Sequence, residues 1–323
     1  HVGICGNFIK NILQMQEEKT MLVNMKEMLK DAELHNYAIG SLNTPNLETL
    51  RAVIDAAEEL GCPIIINHAQ GHDSICDPEY GVVAMEDIAP LMKVFAERAK
   101  VPVAMHIDHA LDDAFTRRAI RAGFTSIMYD RSTLPLEQNI ALTKKFVEDV
   151  APLGITVEGE IGAMPNNMPT CVPGQEASDL SDLSVYYTKP EEAKKFAEET
   201  NVDVMTVSIG TVHGMYMAGV KSDLQIDLIK DIRAAVTNEN IHLGMHGCSG
   251  TEHDQVVAAV NAGIKKINYF TAMDTCVTEA IKDFIKEHEG RPMNYSVLAS
   301  KIAYEELKKG AKKALSMFME CKR

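Results

Sequence analysis

A closed α/β barrel is the fold class this sequence predicts, on three observations. Short β-branched or apolar runs alternate eight times with longer helical patterns, glycine or proline often marks the passage from a helix to the next strand, and the chemically active side chains gather at the carboxyl ends of the strands. The strands fall at 37–42, 63–67, 101–107, 126–129, 155–160, 204–208, 242–245 and 265–269. The helices between and after them fall near 47–60, 87–99, 112–122, 135–150, 190–200, 224–236, 254–262 and 273–287. Gly61-Cys-Pro63, Lys100-Val-Pro102, Ala122-Gly-Phe124, Leu153-Gly154 and Ala262-Gly263 each end a helix and open a strand. Eight such units, with no linker or low-complexity stretch between them, predict a single TIM (β/α)8-barrel domain over 1–323. Extra helices flank it: an N-terminal extension over about 1–34, helical near 7–32, and C-terminal helices over about 290–323, near 296–319.

Composition narrows the partners. With 32 basic and 46 acidic residues the net charge is −14, which disfavours nucleic acid or an anionic membrane as the main partner, because clustered lysine and arginine hold both. Any anionic ligand must therefore be gripped locally. Seven widely spaced cysteines without a Cys-x-x-Cys pair point to a reducing cytoplasm. No apolar run approaches the ~18 residues of a membrane span, so a soluble protein is expected.

Strand three carries the strongest chemical signal, in Met105-His-Ile-Asp-His109. A carboxylate beside an imidazole at a buried strand tip loses hydration without structural gain unless an ion or partner compensates. Asn43 follows strand one, Asp130 closes strand four, and Glu158 and Glu160 close strand five. His213 follows strand six, His246 ends strand seven, and Asn268 lies in strand eight. Carboxyl ends form the active face of such a barrel.

Three imidazoles from strands three, six and seven can converge on one ion, so His109, His213 and His246 are the expected metal ligands. Neutral nitrogens suit zinc, with Co2+ or Fe2+ as substitutes, and three ligands leave a coordination position for substrate. In an extended strand Asp108 should point away from His109, which frees it to move protons. His106 reads as a supporting histidine. His68 and His72, after strand two, either touch substrate or line a loop. Asp112 and Asp113 open a helix, where carboxylates favour the dipole whatever the function.

Glycine-rich strand ends offer a phosphate site through backbone N–H groups and hydroxyls, with Gly214, Gly247, Ser249 and Thr271 as its candidates after strands six to eight. Asn43 and Asn268 complete the expected substrate-binding set. The segment 161–185 is far longer than the ~4–6 residues usual for a connection and reads as a mobile lid.

Together these motifs resemble the class II, metal-dependent ketose-bisphosphate aldolases of the fructose and tagatose type. The matches run in order through Met105-His-Ile-Asp-His109, Gly123-Phe-Thr-Ser-Ile-Met-Tyr-Asp130, Val157-Glu-Gly-Glu-Ile-Gly162, Tyr187-Thr-Lys-Pro-Glu-Glu-Ala193, Val207-Ser-Ile-Gly-Thr-Val-His-Gly214, His246-Gly-Cys-Ser-Gly250 and Lys266-Ile-Asn268. The resemblance implies a homodimeric or homotetrameric lyase of carbohydrate metabolism, working on a small sugar phosphate. Its reaction would be reversible retro-aldol cleavage of a ketose 1-phosphate or 1,6-bisphosphate to dihydroxyacetone phosphate and an aldehyde. It further implies zinc on the three histidines as Lewis acid, with a monovalent cation as a further ion. Asp108 would move the C4 hydroxyl proton, and Asn268 would contact the enediolate. Asp130 and Glu158 match an alternate metal position, and Glu176 on the lid matches the acid that exchanges a proton of dihydroxyacetone phosphate.

One departure bears on substrate. Several members continue, one residue beyond the strand-eight asparagine, as Asp-Thr-Asp-x-Arg, whose arginine grips the distal 6-phosphate, whereas Asp274 stands at that point here. A carboxylate repels phosphate, so the alternative substrate is a ketose lacking the 6-phosphate. The rivals from other classes are a metal-dependent TIM-barrel hydrolase and a non-catalytic sugar-phosphate-binding barrel.

Overall fold

Eight parallel strands close into a barrel in sequence order in the computed structural model, which describes residues 20–79, 81–166, 178–214 and 222–322. They are β1 (Ile39–Asn43), β2 (Ile64–Ala69), β3 (Val103–Ala110), β4 (Ser126–Tyr129), β5 (Thr156–Ile161), β6 (Val204–Val207), β7 (His242–Met245) and β8 (Ile264–Tyr269). Pairing of Ile39 with Lys266 and of Ser41 with Asn268 closes the ring between β1 and β8. The barrel is the fold the strand–helix alternation predicts.

The helices are α1 (Met25–Leu34), α2 (Leu47–Leu60), α3 (Met85–Arg98), α4 (Asp113–Ala122), α5 (Leu136–Val150), α6 (Pro190–Thr200), α7 (Ile226–Ala235), α8 (His253–Ala262), α9 (Thr271–Glu287) and α10 (Tyr304–Met319). Their starts are written locally. Asn46 and Thr49 form a reciprocal capping box on α2, and the Asp112 carboxylate accepts the Phe115 N–H at the start of α4. Among the described residues no helix is long and apolar enough to cross a membrane.

Two additions complete the barrel. Only the end of the predicted N-terminal helix falls among the described residues. There α1 buries Met25, Leu29 and Ala32 against Tyr37, Ile39, Ile65, Ala104 and Val204 at the amino ends of the strands. It closes the bottom of the barrel. The C-terminal α10 instead lies on the outer wall beside α2 and β1, where the Ala38 N–H donates to the Phe318 carbonyl at 3.0 Å. A Cβ on Gly40 would come within 2.6 Å of Leu315, so this wall needs glycine to let the helix approach. Leu315 and Phe318 are fully buried there, and truncating either to alanine costs roughly 2–5 kcal/mol.

The consequential difference from the sequence expectation is at β3. The strand runs on to Ala110 rather than stopping at 107, because Asp108 still pairs with Ala69 and Ala110 still pairs with Tyr129. Its register against β4 shifts between Ile107 and Ala110, and His109 adopts φ +48°. Left-handed backbone costs a non-glycine residue ~1–2 kcal/mol, and such strain concentrates at working sites. Simple alternation would send Asp108 and His109 to opposite faces. The irregularity turns both into the same cavity, with His109 Nε2 3.8 Å from Asp108 Oδ1.

Candidate metal and substrate centre

His109, His213 and His246 converge at the carboxyl ends of β3, β6 and β7, each offering a nitrogen within 4.8 Å of the others. The far nitrogen of each ring is already engaged. His109 Nδ1 meets Asp130 Oδ2 at 2.7 Å, His213 Nδ1 meets Asn166 Oδ1 at 3.0 Å, and His246 Nε2 meets Glu158 Oε1 at 3.1 Å. A carboxylate or amide oxygen there selects the tautomer whose other nitrogen is a free donor, the usual support of a metal-binding histidine. His246 Nδ1 and His109 Nε2 accordingly face each other at 3.1 Å.

Electrostatics separate the three rings. Burial, helped by His109, lowers His213 to about 3, and burial with Lys266 beside it lowers His246 to about 4, so both are neutral donors at pH 7. Burial opposes charge on His109 as well, yet the carboxylates of Asp108, Asp130 and Glu160 outweigh it and raise His109 to about 10. The cavity therefore attracts a cation strongly enough to hold a proton on one imidazole, and a divalent ion satisfies the same demand. The donor set fits a metal.

Asp108 lies beside this centre, buried and held by two amides. Asn43 Nδ2 donates to its Oδ2 at 3.1 Å and Asn268 Nδ2 to its Oδ1 at 2.9 Å. Burial raises its pKa, but His109, His246, Lys266 and His106 together hold it below the ordinary carboxylate range. Asn43 and Asn268, expected to bind substrate, are thus also the groups that aim this carboxylate.

The expected alternate metal position was Asp130 with Glu158. Asp130 does stand with His109, but the third member of that group is Glu160, while Glu158 lies deeper and is taken up by other partners. Both side chains face the lumen by strand alternation, and Glu160 is one pleat repeat nearer the carboxyl end. Burial, then the charge of Asp130, raises Glu160 to about 8. Asn166, which bridges to His213 from the start of the long segment after β5, was not singled out in the sequence. Its only signal was membership of that segment.

Phosphate candidates surround the loops after β6, β7 and β8. Gly247 has φ +67°, and a Cβ on it would come within 2.4 Å of the Val212 carbonyl, so only glycine lets these loops meet. Gly214 is likewise left-handed. The Ser249 hydroxyl accepts the Ala272 N–H at 3.1 Å in the first turn of α9, whose first residue is Thr271. Asp274 sits exposed in that same turn, and among the described residues it forms no ion pair. Glu176 lies outside the described residues.

The remaining candidates divide. His106 is a buried support, 2.6 Å from Ser126 Oγ and 3.1 Å from Glu158 Oε2. His72 packs edge-on to Phe270 with ring centroids 5.1 Å apart, and His68 lies 3.8 Å from Asp73. Asp73 in turn binds Arg118 and the Cys76 and Met85 N–H groups, which ties the β2–α3 loop to α4.

The chain matches the sequence model of the family described as fructose-bisphosphate aldolase class-II over residues 23–323. Among solved structures it is similar to the YdjI aldolase of Escherichia coli K12, at 30% identity and TM-score 0.73, covering 92% of this chain and 97% of that one. The fold is also that of the fructose-bisphosphate aldolase Fba of Campylobacter jejuni, at 21% identity and TM-score 0.75, covering 94% and 97%.

Proposed function

This chain belongs to the class II fructose-bisphosphate aldolase family, and on that premise we propose that it cleaves a ketose 1-phosphate reversibly into dihydroxyacetone phosphate and an aldehyde, with no requirement for a 6-phosphate. The observation that carries the reading is the pairing of Asp108 with a three-histidine centre, 3.8 Å from His109 and oriented by Asn43 and Asn268. Three imidazole donors favour zinc, and Co2+ or Fe2+ would also fit. Bound at His109, His213 and His246, the ion supplies Lewis-acid polarisation of the substrate ketone.

Asp108 takes the C4 hydroxyl proton during cleavage and returns it to the aldehyde oxygen in condensation. Its depressed pKa keeps it ionised as the proton acceptor, and the two amide donors hold its oxygens toward the cavity. Asn268 gives one amide N–H to Asp108 and keeps a second that can donate to the enediolate oxygens. The Gly214, Gly247 and Ser249 turns and the Thr271 end of α9 supply N–H groups and hydroxyls for the 1-phosphate. The exposed Asp274 carboxylate in the first turn of α9 supports a distal end without phosphate, because it would repel one.

A panel of ketose 1-phosphates and 1,6-bisphosphates, assayed for dihydroxyacetone phosphate with and without chelator, tests each part. We expect zinc-dependent cleavage, with kcat/KM for monophosphates within about tenfold of the bisphosphates because no charge-assisted contact is lost. A loss of several hundredfold without the 6-phosphate would overturn the substrate assignment. Cleavage that survives complete metal removal would overturn the metal assignment.

A further inference from the structure

Beneath the rim of the site, Lys266 is fully buried in the barrel lumen. Its Nζ lies 2.9 Å and 3.0 Å from the two Glu158 oxygens and 2.6 Å from Asn268 Oδ1. Each contact continues to a different working part. Glu158 accepts from His246 Nε2, whose other nitrogen faces the metal centre, and Asn268 donates to Asp108 Oδ1 at 2.9 Å. One ammonium therefore stands between the orientation of a metal ligand and the orientation of the proton-transfer carboxylate.

Stability does not explain a lysine here. Barrel layers are ordinarily filled by branched apolar side chains, and replacing a buried ion pair by apolar residues of similar volume is often neutral or stabilising. The partners account for it better. Glu158 also accepts from Thr206 Oγ1 at 2.6 Å and lies 3.1 Å from His106 Nε2, which leaves it little freedom to swing. With Lys266 as donor, Asn268 must present its oxygen downward and its NH2 upward to Asp108, which settles its amide orientation.

We propose that Lys266 is a positioning residue that keeps the metal ligand His246 and the proton-transfer group Asp108 in register, through Glu158 and Asn268 respectively. The proposal rests on the functional reading above for the roles of His246 and Asp108. Without the ammonium, the Asn268 amide is free to flip and Glu158 loses one of the donors that anchor it under His246.

The test compares the Lys266→Met enzyme and the Lys266→Met/Glu158→Leu double variant with wild type. Its readouts are Co2+ and Zn2+ affinity by chelator competition, the visible spectrum of bound Co2+, urea unfolding, and kcat and KM. The single variant should be destabilised and the apolar pair should recover stability. Both should bind metal about 10–100-fold more weakly, with an altered Co2+ spectrum, as when a group orienting a metal ligand is lost. At saturating metal, kcat should fall at least tenfold with KM little changed, since the defect lies in aim and not in binding. A Lys266→Met/Asn268→Ala double variant should lose no more kcat than Asn268→Ala alone. If the stable apolar pair keeps wild-type metal affinity, Co2+ spectrum and kcat, the lysine is mere filling and the proposal is overturned. Wild type that binds metal but cleaves no ketose phosphate would overturn the functional reading instead, while the metal readouts would still decide the Glu158 arm.

Discussion

Glu158 and Glu160 sit two residues apart on β5, both buried in the lumen, yet their environments drive them in opposite directions. Around Glu158 the barrel gathers Lys266, His106, His246 and Thr206, and despite burial its pKa falls well below the ordinary value. Around Glu160 burial and the charge of Asp130 outweigh the opposing pull of His109, and the pKa climbs to about 8. The lower layer is electrically complete and the rim is not. A barrel can thus use one strand both to build a rigid platform and to leave above it a carboxyl that burial and Asp130 keep protonated up to about pH 8.

Breaking the rim should remove chemistry and leave the platform. Asp108→Asn keeps the shape and, with the Asn43 amide turned to accept from the new NH2, both amide contacts, but it cannot accept a proton, so kcat should fall by about 10²–10⁴ while the urea midpoint stays near wild type. A fall of less than tenfold would mean the proton acceptor lies elsewhere. Breaking the platform should cost stability as well. Glu158→Leu leaves Lys266 buried without its carboxylate, and the protein should lose roughly 3–5 kcal/mol of unfolding free energy. A loss below 1 kcal/mol in denaturant titrations would show that water or a moved side chain replaces the pair, and would erase the contrast with Glu160.

Smaller effects sharpen the division. Asn166→Ala removes the oxygen that orients His213, so Zn2+ affinity in chelator competition should weaken about 10–100-fold with the fold intact. Unchanged affinity would place the ordering of His213 in its backbone bridge alone. Glu160→Gln should act through pH. The folded pKa of Glu160, about 8, lies above its ordinary value, so its contribution to stability is full at low pH and is lost as pH rises through 8. The metal-free glutamine variant lacks that loss, and its advantage over wild type should grow by about 3 kcal/mol from pH 5 to pH 8. An advantage that is flat with pH, measured by urea unfolding in chelator, would show Glu160 is not the group that titrates.

The three histidines were legible because each lies at or within a short loop of a strand's carboxyl end, and in a barrel every such end opens on the same face. Asp108 was legible by its company. Its geometry was not, since the register shift at β3 and the left-handed His109 arise from how β3 sits against β4, and alternation alone would separate the two side chains. Glu160 and Glu158 look equivalent in sequence because parity gives the face of a strand but not the depth along the lumen. Asn166 was hidden by distance, 47 residues from the histidine it orients. Lys266 was hidden by type, because lysine in a strand ordinarily signals solvent.

By itself, then, the sequence determined the barrel and the three histidines that meet at the carboxyl ends of its strands, which follow from local periodicity and from the single geometry that eight strand–helix units can close into. Only the tertiary structure decided which carboxylate meets His109, how Asp108 is aimed, and that Lys266 links the two working arms. Those outcomes depend on distances of about 3 Å across the lumen between residues on different strands, and the electrostatics of each buried group are set by such neighbours and not by its place in the chain.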